Sequence, residues 1–394
     1  MRVNNNNTTP VDSLRCVISI ALLAAMTPAA VVLGPIIVGA YVTDLGFAAD
    51  TAGYLIAAEL VGAGIATAVA YVAVGRFDWH SIIRVALAGC MFGNVISIFA
   101  TDVAVLLPVR FFTGIAVGTI MTMTIVIVGM TRDQERNFGY WSMGQVVFAV
   151  IGFAIFPHIM PLVGVAGFFA FMAVIMALQQ LVVRNMPAAG NPEHAAGFSS
   201  LPPDAKKLVP VALLALLFFY IGIGSVWAYV ERIGDQSGLD AEVIGYALSG
   251  SAVVGVFGAA LATWMSTRFG RLMPALLGYL MIALAMSFYF GTQTTVIFLV
   301  ASLLYKFAWW FMSPYLLANM TTLDPSGRVA ILTNFVIGFG LGVGPAIAAL
   351  LIGSGESLNY SRVVVFGVGS VIVSVLLLLP VVRMNASKTV LVEP

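Results

Sequence analysis

Apolar runs of 18 or more residues recur along almost the whole chain, and each is long enough to cross a lipid bilayer as a helix. Hydrophobic residues make up 61% of the 394 residues and charged residues only 9%, whereas a soluble domain carries about 25% charged residues. The sequence therefore predicts an all-α integral membrane protein. Twelve transmembrane helices are expected, at residues 17–42, 52–75, 82–100, 103–130, 139–160, 164–184, 208–231, 243–266, 272–291, 295–319, 329–353 and 362–382.

The longest polar connection divides these spans into two sets of six. It is rich in Pro, Gly and Ser, a composition typical of a flexible connector. We expect two six-helix bundles joined by a cytoplasmic linker, with a cytoplasmic tail at each end. The corresponding segments are residues 1–16, 17–184, 185–207, 208–382 and 383–394.

The distribution of cationic residues predicts the orientation of the chain. With the N-terminus inside, fourteen Lys and Arg residues fall in cytoplasmic segments and only Arg232 and Arg362 fall outside. Cytoplasmic loops of membrane proteins carry such an excess of Lys and Arg. We therefore expect a multi-pass protein of the cell membrane with both termini in the cytoplasm. Its short loops favour a bacterial inner membrane.

The two halves of the chain also align with each other at one fixed offset. A cluster at the start of the second span, formed by Gly46, Ala49, Asp50, Gly53 and Tyr54, matches Gly238, Ala241, Glu242, Gly245 and Tyr246. Two cytoplasmic loops match at the same offset. This pattern predicts a duplicated six-helix unit with pseudo-two-fold symmetry, which is the parallel-repeat architecture of many secondary transporters.

Two loops and one span carry a resemblance to a known family. Residues 75–78 read Gly-Arg-Phe-Asp after the second span, and residues 268–271 read Arg-Phe-Gly-Arg after the eighth. In the fourth span Arg110 is followed by Gly114 and Gly118. These segments resemble the G-x-x-x-D-R-x-G-R-R-like loops and the R-x-x-x-G motif of the major facilitator superfamily, and the resemblance covers essentially the whole chain.

This resemblance implies secondary active transport by alternating access, with helices one, four, seven and ten lining the path and a monomer as the default state. The arginine of the R-x-x-x-G motif, here Arg110, is commonly linked to proton coupling in that family. The family's drug–proton antiporters carry a G-P-x-x-G-G-like motif in the fifth span. Here that span has only Gly152-Phe153, which favours symport over efflux.

Two oppositely charged residues lie within neighbouring spans. Glu59 and Arg110 each lie about seven residues after the start of a helix that begins at the outer surface of the membrane. This places both side chains about 10 Å deep. Charged side chains at membrane depth normally face a cavity and have a partner. We expect Glu59 to carry the coupled proton and Arg110 to control its protonation. The alternative is a permanent structural ion pair.

A third charged residue, Lys306, lies near the middle of the tenth span. Helical spacing puts Lys306, Trp310 and Ser313 on one face, with Tyr305 and Trp309 alongside. A cation beside aromatic rings suits a substrate with a carboxylate and an apolar or aromatic body. The alternatives are a latch to an acidic residue of the other bundle and a purely structural role.

Further candidates for the transport path lie in spans one, five, seven and eleven. Tyr220 and Trp227 share a stripe of the seventh span with Glu231, which is a candidate outer gate. The alternatives are an interfacial aromatic belt for Trp227 and an exposed rim charge for Glu231. Gln145 and Asn334 are further candidates for binding substrate, and interhelical hydrogen bonding is their commoner role. Two prolines predict a break in the first span, Pro28 and Pro35.

Charged residues recur at equivalent places in the cytoplasmic loops of the two halves. Ion pairs among them would hold the outward-open state and break when the protein turns inward. Ordinary positive-inside anchors give the same pattern. The candidate gating residues are Arg76, Asp78, Arg136, Arg268, Arg271, Asp324 and Arg328.

The function expected from these features is proton-coupled symport of a small organic anion, with aromatic carboxylates among the candidates, by alternating access. The alternative is a proton-coupled antiporter that exports drugs or amphiphilic metabolites. An enzyme is not expected, because no reactive-group cluster is present. The sequence lacks the G-x-x-x-x-G-K-[ST] loop that binds nucleotides and any spacing typical of metal ligands. Its net charge of +1 does not indicate a basic surface for nucleic acid. We expect a substrate, protons and lipid as partners, and no cofactor, metal or nucleic acid.

Overall fold

The computed structural model of the protein describes residues 11–74, 77–132, 134–188, 203–265, 272–323, 328–353 and 358–390. This part of the chain is all-α, as predicted, with one short 3₁₀ turn at Val183–Asn185. Its helices are α1 (Leu14–Met26), α2 (Ala29–Val32), α3 (Gly34–Thr43), α4 (Ala49–Val74), α5 (Trp79–Phe99), α6 (Val103–Gly129), α7 (Gln134–Gln179), α8 (Pro203–Gln236), α9 (Ala241–Met265), α10 (Leu272–Phe288), α11 (Thr295–Leu323), α12 (Arg328–Ile352) and α13 (Tyr360–Val390).

These helices account for the twelve predicted spans. In the described residues, eight helices are long and apolar enough to cross a membrane, and three shorter apolar helices accompany them. The first span consists of α1, α2 and α3. Its breaks fall at Pro28 and at Leu33, two residues before Pro35, because proline supplies no backbone N–H to the helix ladder. The predicted break is confirmed.

The fifth and sixth spans are two helices that meet at a tight turn, as expected. Both lie within α7 and are separated at Gly164, whose backbone is not helical, with φ of +64°. Glycine adopts this conformation without steric cost. The side chain of Asp44 accepts a hydrogen bond from the Val165 N–H at 2.7 Å. A side chain at the end of the first span therefore satisfies a backbone N–H at the turn between the fifth and sixth spans.

Within each half, glycines bring two helices into backbone contact. A Cβ atom at Gly114 or Gly118 of α6 would overlap the backbone of α4 at Glu59 or Ala63. In the second half, a Cβ at Gly258 of α9 would overlap a backbone carbonyl of α11. Small residues allow such close approach between membrane helices, where van der Waals packing drives association. The equivalent helices of the two halves therefore pack in the same way.

The two halves contact each other through α3, α4, α7, α8, α9 and α12. The connections at residues 44–48, 100–102, 237–240 and 289–294 lie at one end of the bundle, which we call the distal face. Hydrogen bonds join the halves from mid-bundle to this face, from Ser249 to the Val150 carbonyl and from Tyr229 to the Ala49 carbonyl. The halves are thus joined toward the distal face.

Candidate functional site

The first half buries a complete polar network around one cation. Arg110 donates from Nε and Nη2 to the same carboxylate oxygen of Glu59, at 3.0 and 2.9 Å. Its Nη1 donates to Asn94 at 3.1 Å and to Ser97 at 3.2 Å. Arg110 and Glu59 are 3% and 6% exposed. The structure therefore brings the two predicted membrane charges together, in a low-dielectric site where each compensates the other.

The partners of this ion pair are themselves fixed by their helix. The side chains of Asn94 and Ser97 donate hydrogen bonds to backbone carbonyls of α5, those of Cys90 and Gly93 respectively. The guanidinium also lies 4.9 Å from the ring centroid of Phe169. Asn94 and Ser97 are three residues apart on one face of α5, and this spacing was the available sequence signal for the network.

A small cavity adjoins the pair. Glu59, Arg110 and Thr27 line it, and it has room for about one water molecule. The Thr27 hydroxyl is buried without a hydrogen-bond partner among the described residues. Other threonines in this half, Thr43 and Thr113 among them, donate back to their own helix. The cavity therefore offers room for a water molecule beside the Glu59 carboxylate.

The second half buries a cation in a different way. The Nζ of Lys306 lies over the rings of Trp227 and Trp309, at 3.5 and 4.2 Å from their centroids. Lys306 is 8% exposed. Among the side chains that the structure describes, no Asp or Glu lies within 4.0 Å of its nitrogen. Cation–π contacts thus replace an ion pair.

Neighbouring aromatic side chains hold in place the two indole rings over Lys306, which we call the cage. Trp227 stacks on Tyr305 with centroids 6.0 Å apart, and its edge meets Phe153 of the other half at 5.9 Å. The Tyr305 hydroxyl donates to the Ile223 carbonyl. Phe153 had no signal in the sequence, because its contact depends on how the two halves pack.

The structure distributes the other aromatic and polar candidates around the cage. Trp310 faces α9, where a Cβ at Gly255 would lie 2.7 Å from its ring, so Trp309 covers Lys306 and Trp310 does not. Ser313 donates to the Trp309 carbonyl at 2.8 Å. Tyr220 of α8 lies near Ser313 of α11 and is 4% exposed.

Glu231 lies between the halves near the distal face. Its carboxylate packs on Gly39 of α3, where a Cβ would lie only 2.6 Å away. Its Oε2 has no hydrogen-bond partner among the described residues. Arg232 is 4.0 Å from Glu231 and makes its closer ion pair with Asp235, at 2.8 Å. Because Gly39 has no side chain, a carboxyl group fits at the contact between the first and seventh spans.

The remaining candidates lie apart from these sites. Gln145 has a buried amide nitrogen without a partner in the described structure. Asp78 accepts from the Ser81 N–H and caps α5, and Arg136 donates to Tyr140. The side chains of five candidates lie outside the residues that the structure describes, as does that of Asn334: Arg76, Arg268, Arg271, Asp324 and Arg328.

Comparison with known proteins agrees with this architecture. The family profile of the Major Facilitator Superfamily matches residues 18–345. The fold is similar to the peptide transporter POT in complex with sulfate (TM-score 0.76, 12% identity, 95% of this chain and 97% of that one). It is also similar to the xylose transporter XylE from E. coli (TM-score 0.72, 15% identity, 93% and 96%).

A third solved structure, a mutant of the nucleoside transporter NupG, has a TM-score of 0.71 and 13% identity, covering 93% of this chain and 99% of that one. No curated protein matches the sequence. At these identities the solved structures establish the fold. The family match covers most of the chain, and with the twelve-span architecture it leads to one conclusion. The protein belongs to the Major Facilitator Superfamily and is a membrane transporter, not an enzyme.

Proposed function

We propose that this transporter is a proton-coupled symporter for a small organic anion with an apolar or aromatic body. The observation that carries the proposal is Lys306, a buried cation with aromatic cover and no carboxylate within 4.0 Å among the described side chains. A buried charge is costly unless it is paired. A substrate carboxylate supplies the missing charge, and the rings of Trp227 and Trp309 cover its body.

In this proposal the proton binds to Glu59. Protonation removes the charge that Arg110 pairs with at 2.9 Å, so the arginine is left with Asn94 and Ser97. One proton and one carboxylate together carry no net charge. A protein loaded with both therefore reorients at the same net charge as the empty protein, which avoids moving an unbalanced charge through the membrane.

The proposed transport cycle uses the two halves as the moving bodies, residues 17–184 and 208–382. Both termini and the linker lie in the cytoplasm of a bacterium, and the distal face is the outer face. The protein works as a monomer in the inner membrane. Tyr220, Ser313, Gln145 and Asn334 contribute to the substrate path. Glu231 and the charged loop residues of the cytoplasmic side open and close the two gates.

The first test is the internal pH of proteoliposomes when aliphatic and aromatic carboxylates are added outside. We expect the lumen to acidify beyond empty vesicles, because each anion enters with a proton. Glu59→Gln abolishes this proton signal. Asp50→Asn, which changes a carboxylate at the distal end of the same helix, keeps it.

Two results would contradict the proposal. Alkalinisation of the lumen means antiport, and the export of drugs or amphiphilic metabolites then replaces symport. If a Lys306→Met protein transports carboxylates as fast as the wild type, Lys306 does not bind the substrate carboxylate. The methionine keeps the length of the side chain and removes its charge, so this variant tests the charge itself.

A further inference from the structure

Trp227 contacts both the caged lysine and the opposite half of the protein. One face of its ring lies under the Lys306 ammonium, at 3.5 Å. Its indole Nε1–H donates to the backbone carbonyl of Val31, at 3.2 Å. Val31 belongs to α2 in the first half and Trp227 to α8 in the second. A single side chain thus joins the candidate binding site to the contact between the halves.

The acceptor of this hydrogen bond follows from the sequence of the first span. In a continuous helix, the Val31 carbonyl would accept from the N–H four residues later. That residue is Pro35, which has no N–H. Among the described residues, the Trp227 indole takes the place of the missing donor. The proline therefore creates an acceptor inside the membrane that the opposite half satisfies.

The orientation of the Trp227 ring depends on its neighbours. The Nε1–H reaches the carbonyl only when the plane of the ring points toward Val31, because hydrogen bonds weaken steeply with angle. Lys306 and Tyr305 pack against the ring and Phe153 meets it nearly at right angles, at 87°. Of these neighbours, only Lys306 carries a charge that an anion can attract.

We propose that Trp227 is a latch that couples binding at Lys306 to opening of the distal face. Without an anion, the ammonium stays on the indole ring and the indole holds Val31. A bound carboxylate draws the ammonium toward itself, the ring loses that contact, and the hydrogen bond to the first span is released. This inference rests on the proposed binding of an anion at Lys306.

One hydrogen bond shifts such an equilibrium by about threefold to tenfold. The latch therefore biases the empty protein toward closure of the distal face without preventing its return to the open form. Other contacts between the halves, such as Tyr229 with Ala49, remain until the halves separate.

The test is a distance between spin labels at Thr101→Cys and Thr292→Cys, which are exposed connections of the distal face, one in each half. The two native cysteines, Cys16 and Cys90, are buried and do not take up label. Without added anion, we expect mainly the short distance and a minor long-distance population in the wild-type background. Trp227→Phe keeps a ring under Lys306 and deletes the N–H, and we expect it to raise the long-distance population about threefold to tenfold.

Trp309→Phe is the matched control. It also alters a ring that covers Lys306. Phenylalanine keeps an aromatic ring where Trp309 meets Trp227, with centroids 6.2 Å apart, so we expect the bond from Trp227 to Val31 and the wild-type distance to be kept. Lys306→Met removes the cation that orients the indole, and we expect it to lengthen the distance as Trp227→Phe does. Neither comparison requires a substrate, so both are independent of the transport assay.

Three results would overturn the latch. These are an unchanged distance in Trp227→Phe, an equal lengthening in Trp309→Phe, and an unchanged distance in Lys306→Met. If the two expected changes occur but no carboxylate lengthens the wild-type distance, Trp227 still holds the distal face closed, but its coupling to anion binding at Lys306 is wrong. If carboxylates lengthen the distance in the wild type and not in Lys306→Met, both proposals are supported.

Discussion

Two buried cations in this protein have different environments. Arg110 has a carboxylate and two neutral acceptors, whereas Lys306 has two indole rings. A paired charge is stable in a low-dielectric interior only while its partners remain. Aromatic rings stabilise a cation less than a carboxylate does, so Lys306 is the cation that can gain most from a bound anion.

The network around Arg110 leads to a prediction about stability. Arg110→Ala leaves Glu59 charged and buried, and we expect it to lower the free energy of unfolding by about 3–5 kcal/mol. Unfolding of the purified protein in detergent measures this change. Removing the carboxylate charge as well, in Glu59→Gln/Arg110→Ala, restores part of the loss.

Arg132→Ala is the control for that experiment. Its side chain is 93% exposed and pairs with Asp12 at 3.6 Å, so we expect little change, because exposed ion pairs contribute little to stability. If Arg110→Ala were no less stable than Arg132→Ala, the ion pair would not be needed to hold the first bundle together.

At the scale of helices, proline and glycine determine where this fold departs from regular rods. Pro28 and Pro35 divide the first span into three pieces, and Gly164 turns the chain within α7. Gly114 and Gly118 let α6 lie against the backbone of α4. This close approach also aligns Arg110 with Glu59, because Gly114 contacts the backbone of Glu59 itself.

The contact between α4 and α6 leads to a prediction about packing. The added methyl of Gly114→Ala overlaps the Glu59 carbonyl, so the helices must separate. We expect a loss of about 1–3 kcal/mol, as for other overpacked cores. Gly129→Ala, at the exposed end of the same helix, has nothing within 4 Å of its new Cβ and is expected to be neutral or slightly stabilising.

Thermal unfolding and size-exclusion chromatography of the two proteins separate these effects. A Gly114→Ala protein that unfolds at the same temperature as Gly129→Ala would contradict the claim that the helices are in backbone contact.

At the scale of the whole molecule, α4 and α12 form a crossing between the halves that involves backbone atoms on both sides. A Cβ at Gly342 of α12 would lie 2.5 Å from the Val61 nitrogen, and one at Gly338 would lie 3.0 Å from the Cα of Gly64. Such smooth surfaces allow two helices to approach closely. The crossing is therefore sensitive to any added side chain.

We expect Gly342→Ala to disturb the joint between the halves. The spin-label pair at residues 101 and 292 should give a longer or broader distance distribution than in the wild type. Gly369→Ala of α13, where nothing lies within 4 Å of the new Cβ, should leave the distribution unchanged. Identical distributions in the two variants would show that the crossing tolerates a methyl group.

The sequence predicted those features that depend on one helix or on the membrane. The span count follows from bilayer thickness, and the break in the first span follows from the chemistry of proline. The approach of Glu59 and Arg110 followed from equal depth. The cover of Lys306 by Trp227 was not predictable, because it depends on the rotation of α8 against α11, which helical periodicity alone does not specify.

The turn at Gly164 shows the same limit. Asp44 at the end of the first span accepts a hydrogen bond from the Val165 N–H, and no local pattern in the fifth and sixth spans indicates this long-range contact. Helical spacing placed Trp310 on the face of Lys306 and Trp309 only alongside, whereas Trp309 is the ring that covers the ammonium. Trp310 instead packs against Gly255 of α9, a contact between helices that spacing within one helix does not reveal.

The bond between Asp44 and Val165 has a practical consequence. It ties the end of the first span to the turn between the fifth and sixth spans, at 2.7 Å, so we expect these two points to move together as one corner of the first half. Probes attached beside them keep a constant separation wherever the second half lies. This corner is thus an internal length standard, against which any apparent movement elsewhere can be distinguished from a change in the probes themselves.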